Sequence, residues 1–206
     1  MRVLVAAVTR GTTMGCSLGF TVSMMRLQVA LLSAPNMQVE VNIVSSLKKA
    51  IELAAADDKF DAVVAIGSNV AFPAAFVLRA LVAPSSFVAG IYPLPSIDWD
   101  RITARVTAKG SDAEEMRFKG NTYNIDPSTA KQAGAAGYLS VTSAGLDAVV
   151  LKKEAFTALA ASKTARDDDE LCRAWGKDIL ADLDNQCSTM GPVEFTGCVG
   201  LRTVLR

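Results

Sequence analysis

The pentapeptide Gly15-Cys16-Ser17-Leu18-Gly19 fits G-x-S-x-G, the sharp turn that exposes a serine nucleophile between a strand and a helix. Such a serine needs a base to take its proton, and the usual base is histidine. The chain has none: its 206 residues include 21 Lys and Arg, 21 Asp and Glu, and no His. Ser-His-Asp hydrolysis, Cys-His proteolysis and imidazole-ligated zinc are therefore excluded for this chain alone. Ser17 reads instead as the N-cap of the following helix. Ser45-Ser46-Leu47-Lys48 fits S-x-x-K, but the companion S-D-N and K-T-G elements are absent. Neither G-x-G-x-x-G nor G-x-x-x-x-G-K-[ST] occurs, so there is no standard dinucleotide fingerprint or P-loop. Two kinds of chemistry remain. Carboxylates act as general bases where imidazole is missing. Val8-Thr9-Arg10-Gly11 closes the first apolar run with a cation and a glycine, where a helix N-terminus can help meet phosphate.

The composition limits the setting. Half of the residues are apolar, enough for one medium domain to bury its own core. Equal numbers of cations and anions leave no excess for a nucleic-acid footprint, so no nucleic-acid partner is expected. Cys16, Cys172, Cys187 and Cys198 form no C-x-x-C pair, and reduced thiols in a cytoplasmic protein are expected. The N-terminal MRVLVAAVTRG meets Arg10 too soon for a signal peptide and reads as a first strand. No apolar stretch reaches the roughly 20 residues of a bilayer span. The run from Phe72 to Ala83 is broken by Arg79.

The elements that must position these groups alternate over the first half. Val3 to Val8, Val39 to Ile43, Ala62 to Ile66 and Phe87 to Tyr92 read as strands. Between them lie helices over Ser17 to Leu32, from a cap at Ser45 or Ser46 to about Ala56, and from Pro73 to before Pro84. In the first helix Leu18, Val22, Met25, Val29 and Leu32 recur at helical spacing. Strand-helix alternation implies parallel strands with right-handed crossovers, and ligands bind such sheets beyond the carboxyl ends of the strands. The second half is different. Short alternating pieces at Ile102–Val106, Arg117–Ile125 and Tyr138–Val141 suggest antiparallel strands. Leu146 to Leu151 is a further buried strand, followed by a helix over Glu154 to Ala161. A last helical stretch carries Leu171, Trp175, Ile179 and Leu183.

Several motifs follow one another in a telling order. Val8-Thr9-Arg10-Gly11 looks like a P-T-R-G element, and Ile66-Gly67-Ser68-Asn69 with Phe72 and Pro73 looks like a strand ending in D-x-D. Ala89-Gly90-Ile91-Tyr92-Pro93, with Trp99 after it, is similar to a "v-G-G-x-Y-P…W" segment. Ser143-Ala144-Gly145-Leu146-Asp147, then Leu151-Lys152-Lys153-Glu154-Ala155-Phe156, is similar to "x-A-G-x-x-x-x-l-l-K-R-E-v-F". Asp167-Asp168-Asp169-Glu170-Leu171-Cys172 is similar to an acidic "E-D-x-x-F-C" motif. Taken together over nearly the whole chain, they resemble the small nucleotide-sugar-dependent glycosyltransferases of the GT-A fold.

The resemblance implies an α/β, GT-A-like (Rossmann-like) sheet, mostly parallel and flanked by helices, with a smaller antiparallel, loop-rich acceptor side. It implies one domain over 1–206, with a nucleotide-sugar-binding half, 1–92, and an acceptor-binding half, 93–206. Thr9, Arg10, Gly11, Gly67, Ser68 and Asn69 would contact the donor. Tyr92, Trp99, Asp147 and Asp167 would lie on the acceptor side, with Asp168 as the catalytic carboxylate. The implied partners are a nucleotide-sugar and a glycan or other hydroxyl acceptor, with self-association left open. The pattern departs where charge must be neutralised. Gly67 and Asn69 replace the two aspartates, and Phe195 stands where a metal-ligand His is expected. The ligand set therefore does not support a resident manganese or magnesium ion. Either diphosphate is met by cations such as Arg10, Lys48, Lys49 or Arg202, or catalysis is lost and a nucleotide- or glycan-binding or structural domain remains.

Overall fold

A strand without polar positions must be covered on both faces, and that requirement organises this molecule. The computed structural model describes residues 1–9, 16–34, 36–97, 100, 103, 121–126, 129–162 and 167–189. The chain runs β1 (Arg2–Val8), α1 (Leu18–Leu32), β2 (Gln38–Val44), α2 (Leu47–Ala56), β3 (Ala62–Gly67), β4 (Val70–Ala71), α3 (Ala74–Val82) and β5 (Phe87–Gly90). It continues through β6 (Pro93–Ile97), β7 (Asn121–Tyr123), β8 (Lys131–Gln132), β9 (Tyr138–Val141) and β10 (Ala148–Lys152). It ends, among the described residues, with α4 (Lys153–Ala161), α5 (Asp168–Trp175), β11 (Ile179–Asp182) and β12 (Ser188–Thr189).

The fold is α/β. One eight-stranded sheet has the order β2-β1-β3-β10-β5-β11-β9-β8. Strands β2, β1, β3, β5 and β11 point one way, whereas β10 and β9 run against their neighbours. Two small pairs, β4 with β12 and β6 with β7, stand apart from this sheet. On one face Val3, Val5 and Ala7 pack with Phe20, Leu27, Leu31, Phe76 and Val77 of α1 and α3. On the other, Leu4, Ala6 and Val8 pack with Leu47, Ala50 and Ile51 of α2, and with Phe156 and Trp175 of α4 and α5.

Three expectations are corrected. The stripe Leu18, Met25, Val29 and Leu32 is not the buried face of α1, for these residues are 61–86% exposed. The helix buries Phe20, Ser23, Leu27 and Leu31, because the Ser17 cap and the chain's exit at Ser33 turn that side to the sheet. The strand expected at Leu146 is shifted to Ala148–Lys152 and runs antiparallel between β3 and β5. The last helix does not reach Leu183. Gly176 adopts φ 65°, its N–H closes on Cys172 O, and Ile179–Asp182 becomes a strand beside β5. The strand expected at 102–106 lies outside the described residues apart from position 103.

The far side of the sheet is held by one ion network. Arg79 Nη1 lies 3.3 Å from Asp182 and 3.1 Å from Asp184, while Nη2 donates to Ala136 O at 3.1 Å. Its guanidinium also covers the Tyr138 ring at 4.8 Å. Asp182 is fully buried and accepts from the Asp184 and Asn185 backbones and from Asn185 Nδ2. Removing the cation leaves a buried carboxylate with only these neutral donors. Arg79→Met is expected to lower stability in urea by about 2–3 kcal/mol. Asp182→Asn in the same background should restore part of that loss.

Candidate functional site

Because β1, β2, β3 and β5 point one way, their carboxyl ends share one edge, and antiparallel β10 begins there too. Thr9 is buried, and its N–H and hydroxyl both donate to Val44 O, at 2.9 and 3.3 Å. Ser68 N–H donates to Val8 O at 2.9 Å, and Ser17 N–H to Ser68 O at 2.8 Å. Gly67 N–H donates to Asp147 O at 2.7 Å, which joins β3 to the start of β10.

Asn124 ties the rest together. Its Oδ1 accepts from Tyr92 N–H at 2.9 Å, and its Nδ2 donates to Gly90 O and Gly145 O, each at 2.9 Å. Tyr92 Oη accepts from Asp147 N–H at 3.1 Å. Asp168 Oδ2 accepts from Leu146 N–H at 2.8 Å. Space at Gly67 is tight: a Cβ there would stand 3.0 Å from Asn69 Oδ1 and 3.3 Å from Asp147 Cβ. A carboxylate thus does come to the end of β3, but it is carried by Asp147, the residue that leads into β10.

Beside this network lies an open groove of about 530 Å³, lined by Ser45, Ser46, Leu47 and Lys48 and, opposite, by Asp167, Asp168, Asp169 and Leu171. One wall is the start of α2, where Ser46 caps the helix by accepting from Lys49 N–H at 3.2 Å. The other is the start of α5, where Asp167 accepts from Glu170 N–H at 2.8 Å. Asp169 accepts from the Ser143 hydroxyl at 3.2 Å. Three carboxylates in a row are favourable at that helix start because the macrodipole is positive there. A smaller pocket of about 210 Å³ shares Lys48 and Leu171 and adds the apolar Ile51, Leu159 and Ala160.

The residues expected from the sequence fall into two linked groups. Thr9, Gly67, Ser68, Asn69, Tyr92 and Asp147 belong to the strand-end network, and Asp167 and Asp168 line the groove. The hydrogen bond from Leu146 to Asp168 connects them. Of the cations considered, Lys48 lines the groove, while Lys49 lies 3.5 Å from Glu52 on the helix surface. Arg10, Gly11, Trp99, Arg202 and Phe195 lie outside the described residues. Asn124 was not foreseen, because nothing in Asn121-Thr122-Tyr123-Asn124 distinguishes a buried asparagine from a loop one. Among the described residues no group of three or more His, Cys, Asp or Glu side chains could hold a metal ion. Asn69 and Asp147 bring one amide and one carboxylate to the end of β3.

No protein-family model matches the chain, and no curated protein matches its sequence. Among solved structures it is similar to A197 from STIV, at TM-score 0.50 and 13% identity, over 91% of this chain and 84% of that one. The likeness is one of fold. The inositol-1-phosphate CTP transferase from T. maritima is matched at TM-score 0.46 and 10% identity, over 99% of this chain and 95% of that one. Among the described residues no helix is long and apolar enough to cross a membrane.

Two tests follow from this packing. Asn124→Ala removes three buried hydrogen bonds, to Tyr92 N–H and to the carbonyls of Gly90 and Gly145, and is expected to lower stability by about 3 kcal/mol in urea. Cys172 lies under the site, and burial pushes its thiol above the ordinary value. Its folded pKa exceeds the unfolded one, so its contribution to stability is complete below about pH 8.5 and is lost as pH rises through the folded value. Exposed Cys16 should therefore be alkylated in the native protein, with Cys172 labelled only after unfolding, as peptide mass mapping would read.

Proposed function

We propose that the chain is a transferase that lays a nucleotide diphosphate-sugar along the groove and moves its sugar to an acceptor hydroxyl without a protein-held metal. The carrying observation is the opposed chemistry of the two walls. Lys48 and the N–H groups at the start of α2 suit phosphate. Asp167, Asp168 and Asp169 suit hydroxyl donors. A ligand carrying phosphates and many hydroxyls fits both walls at once, and the volume is of the order used by small-molecule sites. The ordered GT-A-like motifs of the sequence support the same reading, with Arg10 and Gly11 following β1.

In a single displacement the acceptor oxygen attacks the anomeric carbon. The bond from that carbon to the diphosphate breaks, its electron pair leaves on the diphosphate, and the hydroxyl proton passes to a carboxylate. Asp168 is assigned this proton: it lines the groove, and the Leu146 N–H fixes its carboxylate through Oδ2. Lys48 and the helix start stabilise the departing charge. Asp147, lying across Gly67, would face the sugar, and Tyr92 acts through its hydrogen bond to Asp147. Gly67 and Asn69 in place of two carboxylates favour a second reading, in which the same groove binds a nucleotide or glycan without turnover.

Calorimetric titration with a panel of nucleotide diphosphate-sugars, with and without manganese, tests both. Binding that ignores the metal is expected. Lys48→Ala should weaken it about tenfold, equivalent to about 1.4 kcal/mol. Asp168→Asn keeps an oxygen for the Leu146 N–H, so affinity should stay while sugar transfer or donor hydrolysis is lost. Wild-type binding without any turnover would select the second reading. Absence of binding by every donor would overturn the proposal.

A further inference from the structure

Strand β2 ends the sheet, and among the described residues nothing pairs with its outer edge. Natural edge strands are blunted by charged side chains (Lys above all), Pro, bulges or short length, and the one charge of β2, Glu40, is already met by Lys59 at 3.2 Å. β2 has seven residues, pairs with β1 in unbroken register, and contains neither Pro nor Lys. Its hydrogen-bonding phase follows from its ends. Gln38 N–H donates to Met1 O, and Val44 O accepts from Thr9 N–H, so the even-numbered backbone groups face β1. The groups of Val39, Val41 and Ile43 therefore point to the open edge. These same residues are 37%, 44% and 63% exposed, an unusual state for three β-branched side chains on one face.

We propose that this edge pairs with β2 of a second copy, antiparallel about a two-fold axis at Val41, to make one continuous sixteen-stranded sheet. Three features of the strand choose this partner and register. With Val41 opposite Val41, Val39 meets Ile43, and the outward backbone groups form about six hydrogen bonds in hydrogen-bonded pairs. The apolar side chains of both copies then lie on one face as a ribbon of six. On the other face Glu40, held 3.2 Å from Lys59, stands opposite Asn42, whose amide can donate to it. Shifting the axis by one residue to Glu40 sets two carboxylates opposite each other, and shifting it to Asn42 sets Glu40 against the buried Val44. A self-complementary pattern is what an isologous interface requires.

Sedimentation of the full chain at micromolar concentration tests the proposal. The wild type is expected at dimer mass. Val41→Lys, which places two ammonium groups across the axis, should be monomeric with an unchanged circular dichroism spectrum. Leu32→Lys, on the exposed side of α1, should remain dimeric. A second measurement does not depend on disrupting anything. In a Cys16→Ser background, Val41→Cys should form a covalent dimer under mild oxidation, because hydrogen-bonded pairs lie about 5.5 Å apart at Cα, within disulfide reach. Glu40→Cys should not, being diagonal to its copy at about 7–8 Å. A monomeric wild type overturns the proposal, whether because a different segment of the chain covers the edge or because nothing does. So does a Val41→Lys dimer, or cross-linking at 40 rather than 41.

Discussion

Strand β10 runs against both of its neighbours, and most of the site hangs on that reversal. Val149, Val150 and Leu151 are fully buried between β3 and β5, so its direction and register are held by apolar packing on both faces. A parallel strand in that position would begin at the opposite edge of the sheet. Because β10 enters from the carboxyl-end side, Gly145, Leu146 and Asp147 arrive beside Gly67 and Tyr92, and Asp168 reaches Leu146. The carboxylate that lies across Gly67 is thus delivered by chain reversal, more than 70 residues after the strand it serves.

The polar residues that this packing buries are few, and Asn124 and Asp182 show how two of them are answered. Asn124 satisfies one N–H and two carbonyls with a single amide, which it can do only because the ends of β5 and β10 already lie together. Asp182 is fully buried yet has a cation and three neutral donors. The groove, by contrast, keeps its charges on helix starts and open to water, where they stay available to a ligand. Among the described residues, the outer edge of β2 is where backbone groups of the sheet are left without a strand partner.

Much of this was legible in the residues. The all-apolar runs of β1 and β3 identify buried strands, and Ser17, Ser46 and Asp167 mark helix starts by the same hydrogen bond, donated by the N–H three residues on and accepted by the side-chain oxygen. The α/β alternation of the first half follows from those signals. The stripe on α1 shows where the pattern misleads. Leu18, Met25, Val29 and Leu32 are spaced for a core, yet Phe20, Leu27 and Leu31 are spaced equally well, and periodicity does not say which side the sheet lies on.

The sequence by itself determined local matters: the alternating strands and helices of the first half, where helices start, and that no imidazole chemistry is available. Each depends on residues within one turn or one strand, or on composition alone. The tertiary structure decided the direction of β10, the conversion of Ile179–Asp182 from expected helix to strand, the burial of Asn124, and the meeting of Lys48 with Asp168 across one groove. These depend on contacts between residues far apart in the chain, which no local spacing encodes. Glycine at 67 joins the two levels. In the sequence it is a missing carboxylate, and in the fold it is the space that Asp147 fills.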